Sequence, residues 1–200
     1  MTDNKDIVRT LARKFNSHLS AESIGLLAEL MKGARVRYRT LILREGEPDH
    51  YIYYIEHGLI RMFRMVNGKE VTDELVMEDD MLINDESLFT DSPSQHNMVT
   101  IEPTFIYALE YKQMSLLASQ HQDIHNLLLA ILEAHSLEQK HRCELFDLPT
   151  RERYLHLLKN RSEIVRRTPI NQVASYLKMK PETLSRIRNA VNQNDEYSNP

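Results

Sequence analysis

Tryptophan is absent from the 200 residues, and cysteine occurs once, at Cys143. A lone cysteine cannot form a disulfide framework or a cysteine-held metal cluster, which points to an intracellular, cytoplasmic chain. No apolar run approaches the ~20 residues that a membrane-spanning helix needs. The opening Met-Thr-Asp-Asn-Lys-Asp has no apolar core of a signal segment. The histidines of the central region, His50, His57 and His96, form no His-x-His pair. That leaves little basis for a metal-dependent enzyme built on facing strands. Between Lys69 and Lys112 there is no lysine or arginine. What is present is ordinary for a soluble globular protein: 42% apolar and 27% charged residues.

The net charge of −4 hides an asymmetry: residues from Pro149 onward carry a formal charge of +5, and residues 1–148 carry −9. A basic tail on an acidic body suits a phosphate-binding module joined to something else.

The periodicity divides the chain. Residues 4–15 predict a helix with Ile7, Leu11 and Phe15 inward, and Ser20 caps a second that Gly33 ends. From Ala34 to about Glu110 the pattern is that of short strands. Asn67-Gly68 is the strongest hairpin signal, because a type I′ turn needs two positive φ values. Turns at this spacing predict a small antiparallel barrel or jelly roll. Helical period returns at Tyr111, and a long helix is expected from about Gln122 to Leu145. Its Ile124, Leu127, Leu128, Ile131 and His135 follow 3-4 spacing, which calls for a partner: the roll, a second copy of the helix, or both. Thr150 to Lys159 form another helix, and Asn192 to Pro200 is expected to fray.

The most informative stretch runs from Ile170 to Asn189. Ile170, Val173, Ala174 and Leu177 make one apolar face; Leu184, Ile187 and Val191 make a second. Pro181 fits the first helical position, where its missing N–H is harmless. Glu182, Ser185, Arg186 and Asn189 then share a polar face suited to base edges in a major groove. A helix-turn-helix is the expectation.

Arg44-Glu-Gly-Glu-Pro48 entering the roll and Pro181-Glu-Thr-Leu-Ser-Arg186 in the last helix carry a family resemblance. From about Leu26 to Val191 the chain resembles the CRP/FNR family of bacterial transcription regulators, in a compact form common in the Bacteroidetes. The resemblance implies an α+β fold. It would comprise a cyclic-nucleotide-binding-like β-roll (residues 1–120), a dimerisation helix (121–148) and a helix-turn-helix head (149–200). It implies a homodimer on palindromic double-stranded DNA, contact with RNA polymerase, and no membrane partner or enzymatic activity. By position, Glu182, Ser185 and Arg186 match the family's base-reading set, and Lys178, Lys180, Thr183 and Arg188 fall where the DNA backbone is gripped. Two departures weaken the turn: Lys178 replaces the usual glycine, and Lys180 replaces the usual Ser or Thr cap.

A third departure concerns the effector. The family's cyclic-nucleotide binders use a Glu for the ribose and an Arg for the phosphate. Here Asp85, Glu86, Gln95 and His96 are the corresponding residues, and no cation lies nearby in sequence. Two carboxylates without a partner cation disfavour a buried phosphate. Cyclic AMP is therefore not expected, and no cofactor is predicted. Met62, Met65, Met77 and Met81 are read as core, and His121 and His125 as a chance pair without a metal. The rival readings are a ligand-sensing roll without DNA activity and, more remotely, a cupin-like metal enzyme.

Overall fold

The structure, a computed structural model, describes residues 3–196. Two helices lead, α1 (Asn4–Lys14) and α2 (Ala21–Leu30). Ser20 caps α2 by accepting from the Ser23 N–H at 3.0 Å. The strands follow: β1 (Lys32–Val36), β2 (Leu41–Leu43), β3 (Tyr51–His57), β4 (Ile60–Val66), β5 (Lys69–Val76) and β6 (Met81–Ile83). A short helix α3 (Asp85–Thr90) precedes β7 (Asn97–Thr100) and β8 (Thr104–Glu110). Then come α4 (Tyr111–Gln120), the long α5 (Gln122–Asp147), α6 (Thr150–Asn160), α7 (Ser162–Arg167), α8 (Ile170–Tyr176) and α9 (Pro181–Glu196).

The strands form two antiparallel four-stranded sheets, ordered β1-β8-β3-β6 and β2-β7-β4-β5. Strand β3 shows why the roll reads as almost continuously apolar. Its Tyr53 and Ile55 face the roll interior with Ile60, Met62, Leu82 and Met98. Its Ile52 and Tyr54 face outward, into a second cluster with α1, α2, α4 and the first half of α5. A strand buried on both faces loses the period of two. At the hairpin, Asn67 and Gly68 have φ of 51° and 74°, the expected type I′ turn. Gly58, at φ 105°, could not be replaced, since a Cβ would lie 2.4 Å from Thr104 Oγ1.

Several boundaries differ from the sequence reading. Gly33 does not end α2. That helix stops at Leu30, and Gly33 sits in β1 opposite Tyr107, whose ring a Cβ would approach to 3.0 Å. Elements β7, α3 and α7 were not anticipated; each is short, and α7 is bracketed by the turn at Arg161 and by Pro169. The expected fraying from Asn192 does not begin there, because α9 continues to Glu196; residues 197–200 lie outside the described residues.

The long helix required the main correction. Ile124, Leu127, Leu128 and Ile131 are all buried within the protomer, against α1, α2, α4 and the roll. His135 is nearly enclosed and lies 2.7 Å from Asp85 of α3. These five residues are the inner stripe of α5 and are unavailable to a second copy. A flanking stripe carries Leu129, which is 45% exposed, with Leu132, Ser136 and Cys143 at 3-4-7 spacing; Leu132 is half-buried against the protomer's core, and Ser136 and Cys143 are exposed. A helix with two apolar stripes gives one periodic signal, and spacing alone cannot say which stripe faces inward.

Candidate nucleic-acid interface and effector pocket

The head is assembled from α6 to α9 around Tyr154, Leu157, Ile164, Val173, Ala174, Leu177, Leu184 and Val191. Helix α8 ends in a Schellman turn. The Met179 N–H donates to the Ala174 carbonyl (2.9 Å) and the Lys178 N–H to the Ser175 carbonyl (3.0 Å). That geometry forces Lys178 to a left-handed φ of 53°, the conformation that glycine ordinarily supplies. The Lys178 ammonium sits 3.6 Å from the centroid of the Phe146 ring, near the end of α5. A cation over an aromatic face contributes about 0.5–1 kcal/mol at an exposed site, comparable to the ~1 kcal/mol of left-handed strain.

Pro181 opens α9, and the Lys180 carbonyl accepts from Leu184 N–H at 3.1 Å, with no side-chain oxygen in the cap. Glu182 and Arg186 project into solvent one turn apart, and Ser185 between them is half-buried. Lys180 is exposed, and Thr183 is half-buried. Arg188 is half-buried and interacts with the Tyr154 hydroxyl.

The head is fastened to the roll. Ser175 Oγ accepts from the Thr72 N–H of β5 at 2.9 Å. Leu59, Leu75 and Ile101 of the roll belong to the head's own core. Arg167 of α7 grips Glu78 through two nitrogens (2.7 and 2.8 Å) and also pairs with Glu102. Those hydrogen bonds, helped by the Gly58 N–H, hold the Glu78 carboxyl down to about 2. Arg161 pairs with Asp80 in the same seam.

In the roll, Asp85, Glu86, Gln95 and His96 do line one cavity, of about 290 Å³, between α3 and α5. The expectation that it lacks cations was wrong: Arg64 of β4 and Arg142 of α5 also line it. Neither is adjacent in sequence. Arg142 could have been anticipated, since it continues the inner stripe of α5 one heptad beyond His135. Both cations are engaged. Arg64 Nε meets Asp73 at 3.1 Å, and Arg142 is paired with Glu74 while its guanidinium also reaches the Asp73 carbonyl at 3.2 Å. Burial alone would raise Asp73, but hydrogen bonds from His96 and Arg64 outweigh it and hold the carboxyl below its ordinary range. Glu86 accepts from Gln95 at 2.8 Å. Asp85 and Glu86 therefore remain as negative charge without an arginine.

Comparison with known proteins agrees with this architecture. The family model of the cyclic nucleotide-binding domain matches residues 35–121. FixK2 from Bradyrhizobium japonicum is 16% identical, with a TM-score of 0.69 over 82% of this chain and 86% of its own. The chain has the CRP/FNR fold. The c-di-GMP-responsive global regulator CLP of Xanthomonas campestris is also 16% identical, with a TM-score of 0.65 over 88% of this chain and 93% of its own. The catabolite activator protein of Thermus thermophilus is 19% identical, with a TM-score of 0.52 over 90% of this chain and 87% of its own. Comparison with the curated proteins finds no match. The resemblance read from Arg44–Pro48 and Pro181–Arg186 thus holds for the fold of roll, long helix and head. No helix among the described residues is long and apolar enough to cross a membrane.

Proposed function

We propose that this chain is a CRP/FNR transcription regulator that binds double-stranded DNA as a homodimer and is not an enzyme. The observation that carries the reading is the exposed Glu182–Arg186 pair on α9, presented by a helix-turn-helix whose turn is rigidly closed. Arg186 can be bidentate to guanine, and Glu182 can accept from cytosine N4. Ser185 supplies a hydroxyl between them, Lys180 and Thr183 hold the backbone, and Lys178 reaches it at the expense of its ring contact. Dimerisation runs along the flanking stripe of α5, through Leu129, Ser136, Cys143 and the uncovered edge of Leu132. It places two heads on a palindromic site one helical turn apart. The functional units are a sensor (1–120), a dimer helix (121–148) and a head (149–200). RNA polymerase is the expected further partner.

Cyclic AMP is not the signal. Its phosphate would have to displace Glu74 or Asp73 from the arginines and would still face Asp85 and Glu86. Selecting bound sequences from a random duplex pool tests the main reading. A palindromic consensus is expected, with binding that weakens steeply as salt rises. Failure to enrich any sequence would refute it.

A further inference from the structure

Away from the α3 cavity, a second cavity of about 170 Å³ lies where α1, β5, α5 and the head converge. Phe15, Leu75, Met81 and Ile131 give it an apolar wall. It is far larger than the ~10–15 Å³ that holds one water, and smaller than the ~300 Å³ of a drug-sized site. A wider groove of about 540 Å³ between α5 and α6 shares Glu138, Arg142, Arg161 and Tyr176 with it, so the two adjoin across these side chains.

Tyr176 belongs to the wall of both parts and is only 9% exposed. Burial raises its pKa and keeps the phenol protonated, a hydrogen-bond donor, with Arg142, Arg161, Glu74 and Glu138 as its charged neighbours. No described protein group hydrogen-bonds that hydroxyl. Arg161 is desolvated: burial lowers its pKa, and its guanidinium meets Asp80 and, at 3.6 Å, Glu138. Among the described residues Glu138 has no closer ion-pair partner than this, and its side chain is largely exposed. Over the inner cavity, three cations (Lys14, Arg142, Arg161) balance three carboxylates (Glu74, Asp80, Glu138). A ligand of net charge would leave one of these groups uncompensated. A ligand carrying both signs on one polar end, with a compact apolar body, matches the walls.

We propose that this cleft binds an α-amino acid with a medium-sized apolar side chain. The ligand carboxylate accepts from the Tyr176 hydroxyl while Arg161 keeps its pair with Asp80, the ligand ammonium faces Glu138, and the ligand side chain enters between Phe15, Met81 and Ile131. The site joins the roll, α5 and the head, so its occupancy bears on how the head is held. That consequence rests on the regulatory reading above, whereas the binding itself does not.

Isothermal titration of the full chain tests it, with L-leucine, L-methionine and L-phenylalanine as probes. The single-charge analogues 4-methylpentanoate and 3-methylbutylamine complete the set. Saturable binding of at least one amino acid is expected, at least tenfold weaker for each analogue. It should also weaken at least tenfold in Tyr176→Phe, which keeps the ring packing, and in Glu138→Gln. The proposal is overturned by no saturable binding to any of the three amino acids, by analogues that bind equally well, or by variants that bind like the wild type. Binding lost in Glu86→Gln but kept in Tyr176→Phe would move the ligand to the roll cavity and also overturn it. Calorimetry decides the cleft and a DNA gel shift decides the regulatory reading, so each can fail alone.

Discussion

At the scale of single residues, the reading head rests on side chains whose roles separate cleanly. Arg186 is exposed, so its truncation should leave the fold intact and remove base discrimination. A lost bidentate contact is worth about 1–3 kcal/mol, which predicts about 5- to 150-fold weaker binding to the selected site. Binding to random duplex should change far less, and a competition gel shift compares the two. Lys178 poses a different question, because left-handed strain and the Phe146 contact oppose each other. Lys178→Gly alone is expected to be nearly neutral. In a Phe146→Leu background the same change should stabilise by about 1 kcal/mol, since only the strain is then relieved. A denaturant cycle showing no coupling between the two positions would refute this. The sequence revealed the strained position, since a lysine stands where a turn wants glycine, but the compensating ring lies 32 residues away in sequence and could not be read from it. The interaction of Arg188 with the Tyr154 hydroxyl was illegible for the same reason, since Tyr154 is distant in sequence.

At the scale of elements, α7 and α5 decide how the parts meet. Arg167 on α7 holds Glu78 at about 2, below its ordinary value near 4.5. A depressed carboxylate contributes stability that is fully present above the unfolded value and is lost as pH falls through the folded one. Stability should therefore drop between about pH 4.5 and pH 2 more steeply in the wild type than in Glu78→Gln. Urea midpoints measured across that window check the slope. For α5, Leu129→Glu should dissociate the dimer at micromolar concentration without loss of helicity, because Leu129 is on the exposed stripe. Leu127→Glu should instead unfold the protomer, since that residue is 1% exposed inside the core. Light scattering and circular dichroism separate the two results. The helix itself was legible from its 3-4 spacing, its start at Gln122 included. Which stripe was internal was not, because burial depends on where β3 and α1 arrive, and that is a property of the fold. The hairpin at Asn67-Gly68 and the cap at Ser20 were legible because local geometry alone fixes them. Strand β7 is only four residues long, Asn-Met-Val-Thr, with Met98 and Thr100 buried and Val99 half-buried, too short a run to show a period.

At the scale of the whole molecule, charge and periodicity separate a basic head from an acidic body, yet packing unites them. Leu59, Leu75 and Ile101 of the roll lie in one apolar cluster with Tyr154, Val173, Ala174 and Leu184 of the head. The Arg167 grip on Glu78 and Glu102 and the Ser175–Thr72 hydrogen bond cross the same seam. A head that borrows core residues from its neighbour has too little apolar surface of its own to offset its conformational entropy. Residues 149–200 expressed alone should therefore lack a cooperative unfolding transition, and the intact chain should show one calorimetric peak rather than two. Leu75→Ala tests the coupling directly. Leu75 is 3% exposed and lies at the seam, so its truncation should destabilise by about 2–4 kcal/mol. Amide exchange should then accelerate in α8 and α9 as well as in β5. Acceleration confined to β5, or a second peak at lower temperature in the wild type, would show instead that the head opens independently of the roll.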